Sequence, residues 1–380
     1  MRDPAAQAVF DFDALVLSPG IPHRLPKPHA VAERAVAAGV KVLCDVELLF
    51  QAVRASGSQA RFAGITGTNG KSTTTALLAH ILQRAGLPVA AGANLGPAAL
   101  SLPLLPDNGV YVLEMSSYML ERIATIRFNA AAMLNLSADH IDRHGDMAGY
   151  VEAKRAIFDR QQPGDLAVIG VDDSLSRTMA DELPGVVRVS GTQAPLADGL
   201  ALPGAHNAQN AAAATAMARF FGVPDAVIAD ALRTYPGLPH RQQRIVTIGG
   251  VAFINDSKAT NADAAERALV CYDRLIWIAG GMAKEGGIEP LAPLFPRIAK
   301  ALLIGRDAPQ FAATLSHHKV PFEIVGTLES AVPAAFAAAK ATDAPVVLLS
   351  PACASWDQFT GYDQRGERFA DLARALEGNA

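Results

Sequence analysis

The sequence predicts an α/β protein built on mostly parallel sheets, and three observations carry that expectation. Short apolar runs alternate with alanine-rich helical patterns from one end of the chain to the other, the signature of strands joined by crossover helices. Residues 64–75, GITGTNGKSTTT, link an apolar run to a helical pattern through a glycine turn ending in Lys71-Ser72, as in a phosphate-binding loop. In the last third, three polar stretches each follow a strand-like run, which lines polar loops along one sheet edge.

In chain order, the runs at 14–17, 41–43, 61–65, 110–113, 131–134 and 166–169 read as strands of the first half. Those at 251–254, 275–278, 301–304 and 346–349 read as strands of the second. Residues 207–221, NAQNAAAATAMARFF, form the plainest helical pattern, alanine-rich enough to pack closely on a sheet. Turn-rich SGSQ at 56–59 and YPGLPH at 235–240 punctuate the pattern. They divide the chain into 1–57, a central 58–236 and a C-terminal 237–380. The first segment supplies two strands and a helix, too little for a self-standing nucleotide-binding domain; it either packs on the central domain or lacks its beginning.

A length of 380 residues suits roughly two or three domains. With half the residues apolar and 18% charged the chain is globular, and a net charge of −4 argues against a general nucleic-acid or membrane-surface binder. Cys44, Cys271 and Cys353 lie far apart and read as reduced thiols. No apolar run has the length of a membrane span, and the polar N-terminus does not read as a signal peptide. The expectation is a cytoplasmic protein.

The chemistry starts at the loop. Gly67 and Gly70 let the backbone turn its N–H groups toward phosphate, so Gly67, Thr68, Asn69, Gly70, Lys71, Ser72 and Thr73 are the candidate nucleotide-binding run. Lys71 is a point charge for phosphate oxygens and Ser72 a hydroxyl for Mg²⁺. Strict P-loop spacing puts glycine at position 65, where this chain has Ile65, with Gly64 one place earlier. Glu114 ends an apolar strand in YVLEMSS, where it is either a second Mg²⁺ ligand or a solvated acid. NLSADHIDRHGD at 135–146 crowds Asp139, His140, Asp142, His144 and Asp146 together; it is a cation-handling loop or simply a polar one, and fits no zinc spacing. Lys154, in the amphipathic YVEAKRAIF, reads from its surroundings as a solvated lysine. His206, Asn207 and Asn210 open the alanine-rich helix, as a cap or as amides for an adenine edge.

GITGTNGKST, LEMSS, ADHIDRH, GAHNAQN, GLPHR, NDSKATN and SPACASWDQF occur in the order that resembles the Mur ligases, and the last motifs resemble their D-glutamate-adding branch. The resemblance runs from Ser18 to the C-terminus. It implies a P-loop central domain, a C-terminal Rossmann-like domain and a partial N-terminal α/β segment that binds a UDP-sugar. It also implies ATP-dependent addition of D-glutamate to UDP-N-acetylmuramoyl-L-alanine through an acyl phosphate, in peptidoglycan precursor synthesis.

By the same resemblance Ser72 and Glu114 hold one Mg²⁺ and His140 a second, while Lys154 carries a CO₂-derived carbamate that acts as a metal ligand. Lys71, Glu114, His140, Lys154 and Lys284 make the catalytic set. Asn207, Asn210, Arg241 and Asp256 are nucleotide contacts. Ser18, Pro19, Gly20 and Asn94 face the UDP-sugar, His140 is also a substrate contact, and Lys258, Thr260, Lys284, Ser355 and Tyr362 surround D-glutamate. Tyr362 stands where the family more often has Phe. Two departures stand out: the early strand–helix units of the uridine-binding domain are missing, and the stretch between Gly191 and Gly204 is short. Alternatives are a related ligase for a smaller acceptor, or a nucleotide-binding fragment without ligase activity. No nucleic-acid or membrane partner is expected, and the expected state is a monomer.

Overall fold

The computed structural model describes residues 12–192, 205–283 and 286–377. Lys284 and the short stretch before Gly204 lie outside them. The polypeptide forms two units, divided between Tyr235 and Pro236.

The first unit opens with β1 (Ala14–Val16), α1 (Ala30–Ala37), β2 (Lys41–Leu43) and α2 (Asp45–Ala55). β1 and β2 pair in parallel as a two-stranded ribbon, and a small cluster of Leu17, Val31 and Ala32 lies beneath it. Glu47 of α2 is fully buried and its carboxylate accepts the backbone N–H groups of Ala124, Thr125 and Ile126 at 2.9, 2.9 and 3.1 Å. Those charge-assisted bonds satisfy an acid that burial would otherwise penalise.

The chain continues through β3 (Arg61–Thr66), α3 (Lys71–Arg84), β4 (Val89–Ala93), β5 (Val110–Glu114), α4 (Ser117–Leu120), β6 (Ala130–Met133), α5 (Ile141–His144), α6 (Met147–Arg155), β7 (Leu166–Gly170), α7 (Ser174–Glu182), β8 (Val187–Val189), α8 (Ala205–Phe220) and α9 (Asp225–Thr234). Six strands form one sheet in the order β4-β5-β3-β6-β7-β8, every neighbouring pair parallel. β3 lies between β5 and β6, with Ile65 opposite Glu114, so the phosphate loop leaves the sheet beside the carboxylate. All residues of β5 and β6 are buried, as expected of parallel strands covered on both faces.

The second unit contains β9 (Gln243–Ile248), β10 (Val251–Asn255), α10 (Ala262–Leu269), β11 (Leu275–Gly280), β12 (Met282–Ala283), β13 (Ile298–Ile304), α11 (Ala308–His317), β14 (Phe322–Gly326), α12 (Leu328–Thr342), β15 (Val346–Leu349), β16 (Cys353–Ala354) and α13 (Tyr362–Glu377). Its sheet runs β14-β13-β11-β15-β10-β9 and is mixed, because β9 pairs antiparallel with β10. Gly249 and Gly250 make that hairpin, both at positive φ (54° and 83°), as a tight two-residue turn demands. Trp277 is fully buried in β11 and donates from Nε1 to the Ser350 carbonyl at 2.8 Å.

The α/β class and the strand runs named from sequence are present. β4, β8, β9 and β14 are additional, as are the two-residue strands β12 and β16. β4 is alanine and glycine (VAAGA), β8 is three residues long, and β9 and β14 are half exposed; none shows a continuous apolar run.

Candidate active site

The phosphate loop is shaped by two glycines with left-hand φ. Gly67 has φ of 144° and Gly70 has φ of 82°, where a side chain is strained. A Cβ on Gly70 would also collide with the amide of Asn210. Gly64, the apparent remnant of the P-loop spacing, serves the packing of β3 instead. A Cβ there would lie 2.7 Å from the Phe128 ring.

Asn135, which opens the 135–146 stretch without being one of its candidate residues, braces the loop. Its carbonyl accepts from Thr68 N–H at 2.9 Å, its Oδ1 accepts from Asn69 N–H at 2.9 Å, and its Nδ2 donates to Asn69 O at 3.1 Å. The only signal in the sequence is its place at a strand end, shortly before the ADHIDRH motif.

Two lysines meet under the loop. Lys71 Nζ donates to Gly67 O at 2.9 Å and Thr68 O at 2.8 Å. Lys154 Nζ donates to the same Gly67 carbonyl at 2.9 Å and reaches Thr66 Oγ1 at 3.4 Å. Lys154 is 2% exposed, not the solvated lysine its local sequence suggests. Burial, and then the charge of Lys71, hold its pKa well below the usual lysine value. The Tyr150 ring lies 4.8 Å from Nζ, and the Tyr150 hydroxyl is hydrogen-bonded to Thr68 Oγ1 at 3.1 Å.

Glu114 is buried beside them. Its Oε1 accepts from Asn94 Nδ2 at 2.6 Å, while Oε2 is buried with no hydrogen-bond partner. A buried, unsatisfied carboxylate oxygen is what a hard cation requires of its ligand. Ser72, in the first turn of α3, is buried. Among the described residues no three His, Cys, Asp or Glu side chains are grouped as a metal site.

His140 lies beside Asp139, whose charge is felt by Lys154. It has left-handed φ (53°), meets the tilted Tyr118 ring at 4.9 Å between ring centroids, and approaches Asp139 at 3.5 Å. Asn207 and Asn210 are buried and bonded to each other at 3.1 Å, with Asn210 against Gly70 at the phosphate end of the loop. The Ser18-Pro19-Gly20 turn is held by buried Arg122, which donates to the carbonyls of Leu17 (3.2 Å), Ser18 (3.0 Å) and Ile21 and to His23 Nδ1 (3.2 Å). Nearby, His144 bridges Ser117 Oγ (2.9 Å) and Glu121 (3.1 Å).

In the second unit, Asp256 accepts from Ser350 Oγ at 2.7 Å and Gln242 N–H at 3.1 Å. Burial pushes its pKa up to about 7 against the opposing pull of those bonds and of Arg241. Lys258 Nζ lies 4.9 Å from the Tyr362 ring centroid. Thr260 is half-buried and Ser355 is buried, in the loops after β10 and β15.

The Mur ligase middle domain matches residues 65–194, and the Mur ligase glutamate ligase domain matches 240–353. The UDP-N-acetylmuramoylalanine–D-glutamate ligase of Paramagnetospirillum magneticum is 50% identical over 99% of this chain and 87% of its own. This chain belongs to the Mur ligase family. The ligase of the same name from Rhodospirillum rubrum is 48% identical over 98% of this chain and 82% of its own. Among solved structures, UDP-N-acetylmuramate–alanine ligase from Thermotoga maritima aligns with a TM-score of 0.64 at 17% identity, covering 97% of this chain and 87% of that one. Folylpolyglutamate synthase from Mycobacterium tuberculosis, complexed with ADP, aligns at 0.61 and 16%, covering 88% and 94%. At such identities these two attest the shared fold.

Proposed function

We propose that this chain is an ATP-dependent amide ligase that joins D-glutamate to UDP-N-acetylmuramoyl-L-alanine for peptidoglycan synthesis. The observation that carries the reading is the near-full-length identity of about half with ligases of that name, and the loop chemistry supports it. A substrate carboxylate oxygen attacks the γ-phosphorus of ATP and ADP departs. The amine of D-glutamate then attacks the acyl carbon, loses a proton, and phosphate leaves with the original carboxylate oxygen. The protein's part is to position charge and exclude water.

Lys71 and the positive end of α3 bind the phosphates. Ser72 and Glu114 would hold Mg²⁺, with Asn94 fixing one Glu114 oxygen so that the other faces the ion. Bound there, the ion would neutralise charge on the transferring phosphoryl group. A second ion at His140 is part of the reading.

Lys154 is suited to carbamylation. Its amine is buried and biased toward the neutral form, the form that adds CO₂. Carbamylation places an anion beside Lys71, an attraction where a protonated Lys154 would repel. Asn207, Asn210, Arg241 and Asp256 are assigned to the nucleotide. Ser18–Gly20 and Asn94 are assigned to the UDP-sugar, and Lys258, Thr260, Lys284, Ser355 and Tyr362 to D-glutamate. The domain reading is 1–57 for the UDP-sugar, 58–236 for ATP and 237–380 for the amino acid, in a cytoplasmic monomer.

Phosphate release with ATP, Mg²⁺, D-glutamate and UDP-N-acetylmuramoyl-L-alanine, omitting each in turn, tests the reading. Release that requires all four supports it. Release that persists without D-glutamate, or that prefers an acceptor lacking UDP, would replace it with an ATPase or a ligase for another acceptor.

A further inference from the structure

Asp307 stands at the head of α11, where an aspartate ordinarily caps its own helix. This one does not: its side chain makes no capping bond, and the helix has no need of one. Ala308 N–H donates to Gly305 O at 3.4 Å, the next residue is Pro309, and Gln310 N–H donates to Asp307 O at 3.0 Å. Proline has no donor, so the start of α11 is satisfied by backbone alone.

The carboxylate turns to a neighbouring loop instead. Its Oδ2 accepts from Ala283 N–H at 2.8 Å, and Asp307 N–H donates to Gly281 O at 3.0 Å. Arg306 grips the same carboxylate, Nε on Oδ1 at 2.9 Å and Nη2 on Oδ2 at 3.0 Å, and so fixes its direction. Arg306 N–H donates in turn to Asp357 Oδ2 at 2.8 Å. A Cβ on Gly305 would lie 2.6 Å from Gly281 Cα and 2.5 Å from Asp357 Oδ2, so only glycine allows the two backbones to approach this closely.

These contacts join the ends of β11, β13 and β15. Gly305–Asp307 is the turn from β13 to α11, Gly281–Ala283 follows β11, and Asp357 follows β16. β12 and β16 already pair as a ribbon, Met282 with Ala354 and Ala283 with Cys353. β16 leads into Ser355, and Ala283 is followed in the sequence by Lys284; both are assigned above to D-glutamate. Arg241 and Asp256, assigned to the nucleotide, belong to the segments before β9 and after β10.

Stability alone does not account for the arrangement. Arg306 is exposed, and an exposed ion pair contributes little to folding. What the carboxylate supplies is placement of the loops it touches, which matters where reacting groups must be held in register.

We propose that Asp307 is a positioning residue of the amino-acid site. Its carboxylate, aimed by Arg306, clasps the β12–β16 ribbon to the turn between β13 and α11, and so sets where the loops after β11 and β15 present their D-glutamate contacts. This rests on the D-glutamate ligase reading and adds a residue that lies outside all of the motifs carrying the family resemblance.

The test compares wild type, Asp307→Ser and Asp307→Asn by KM for D-glutamate, ATP and the sugar nucleotide, with thermal melts and amide hydrogen exchange at Ala283 alongside. Serine is too short to reach Ala283 N–H, and because α11 needs no cap its melt should stay close to wild type. Its D-glutamate KM is expected to rise about tenfold while the other two stay within about twofold. Exchange at Ala283 should quicken about tenfold in the same variant. Asparagine keeps an acceptor of the same reach and should stay within about threefold of wild type in both readings. Three KM values unchanged in Asp307→Ser, three rising together, or an asparagine variant no better than serine would overturn the proposal. A wild type indifferent to D-glutamate would refute the ligase reading, and this proposal with it, before any variant is compared. Unaltered Ala283 exchange in Asp307→Ser would instead overturn the clasp alone, since that measurement needs no substrate.

Discussion

Lys71 and Lys154 converge on one acceptor: each ammonium donates to the carbonyl oxygen of Gly67 at 2.9 Å. Two cations on one oxygen repel, and Lys154 is the buried one, so it is the one driven toward neutrality. That asymmetry suits the two lysines to the different roles proposed for them, Lys71 on phosphate and Lys154 as the amine that is carbamylated.

Lys154→Ala is therefore expected to lower turnover by about a thousandfold or more, the scale of losing a charged group from an active site. Added formate or acetate should restore part of the rate by supplying a carboxylate in the vacated space. Measured rates that stay near wild type without any additive would remove Lys154 from the mechanism.

Asn94→Ala frees Glu114 Oε1, so the carboxylate loses its fixed orientation. The Mg²⁺ concentration for half-maximal rate should rise about tenfold, in line with loss of a group that orients a metal ligand. A Mg²⁺ titration superimposable on wild type would show that Asn94 does not act through Glu114.

Gly70→Ala places a side chain at φ of 82° and against Asn210. Left-handed backbone alone costs about 1–2 kcal/mol for a non-glycine residue. Nucleotide affinity should fall well below wild type while the rest of the first unit still folds; ADP titration calorimetry reads this directly, and unaltered affinity would contradict the loop assignment.

His23 sets a pH dependence of stability. Burial, and after it the charges of Arg122, Arg24, Arg143 and His144, lower its pKa from 6.5 to about 4. The unfolded chain therefore takes up this proton near the ordinary histidine value while the folded chain does not until about pH 4. Its contribution is complete above about pH 6.5 and is lost as pH falls toward 4, by about 3 kcal/mol. Urea melts of His23→Gln should show a shallower acid slope over that window than wild type. Equal slopes would mean the native state protonates His23 without penalty.

Much of this was legible in the sequence, for reasons that particular residues make clear. The strand before Gly67, the loop and Lys71-Ser72 are contiguous, and local spacing reports contiguous features well. Glu114 was visible because an acid ending an apolar strand breaks a pattern. Lys154 was not legible from its own helix: α6 offers charged neighbours, and only the packing against Gly67 and Tyr150 reveals burial. The role of Asn135 is hidden for a related reason. It acts on backbone groups of a loop distant in sequence, and backbone partners leave no trace in residue spacing. Gly64 is one place off the P-loop spacing, and its contact with Phe128 is set by packing that local spacing does not report.

The central claim is that this chain forms an amide through an acyl phosphate of UDP-N-acetylmuramoyl-L-alanine. The most direct measurement uses that substrate with ¹⁸O in its alanyl carboxylate, together with ATP, Mg²⁺ and D-glutamate, and reads the phosphate and the nucleotide product by mass spectrometry. The account predicts one ¹⁸O in each phosphate released and a product heavier by one glutamyl residue. Unlabelled phosphate, or phosphate released with no change in the sugar nucleotide, would contradict it.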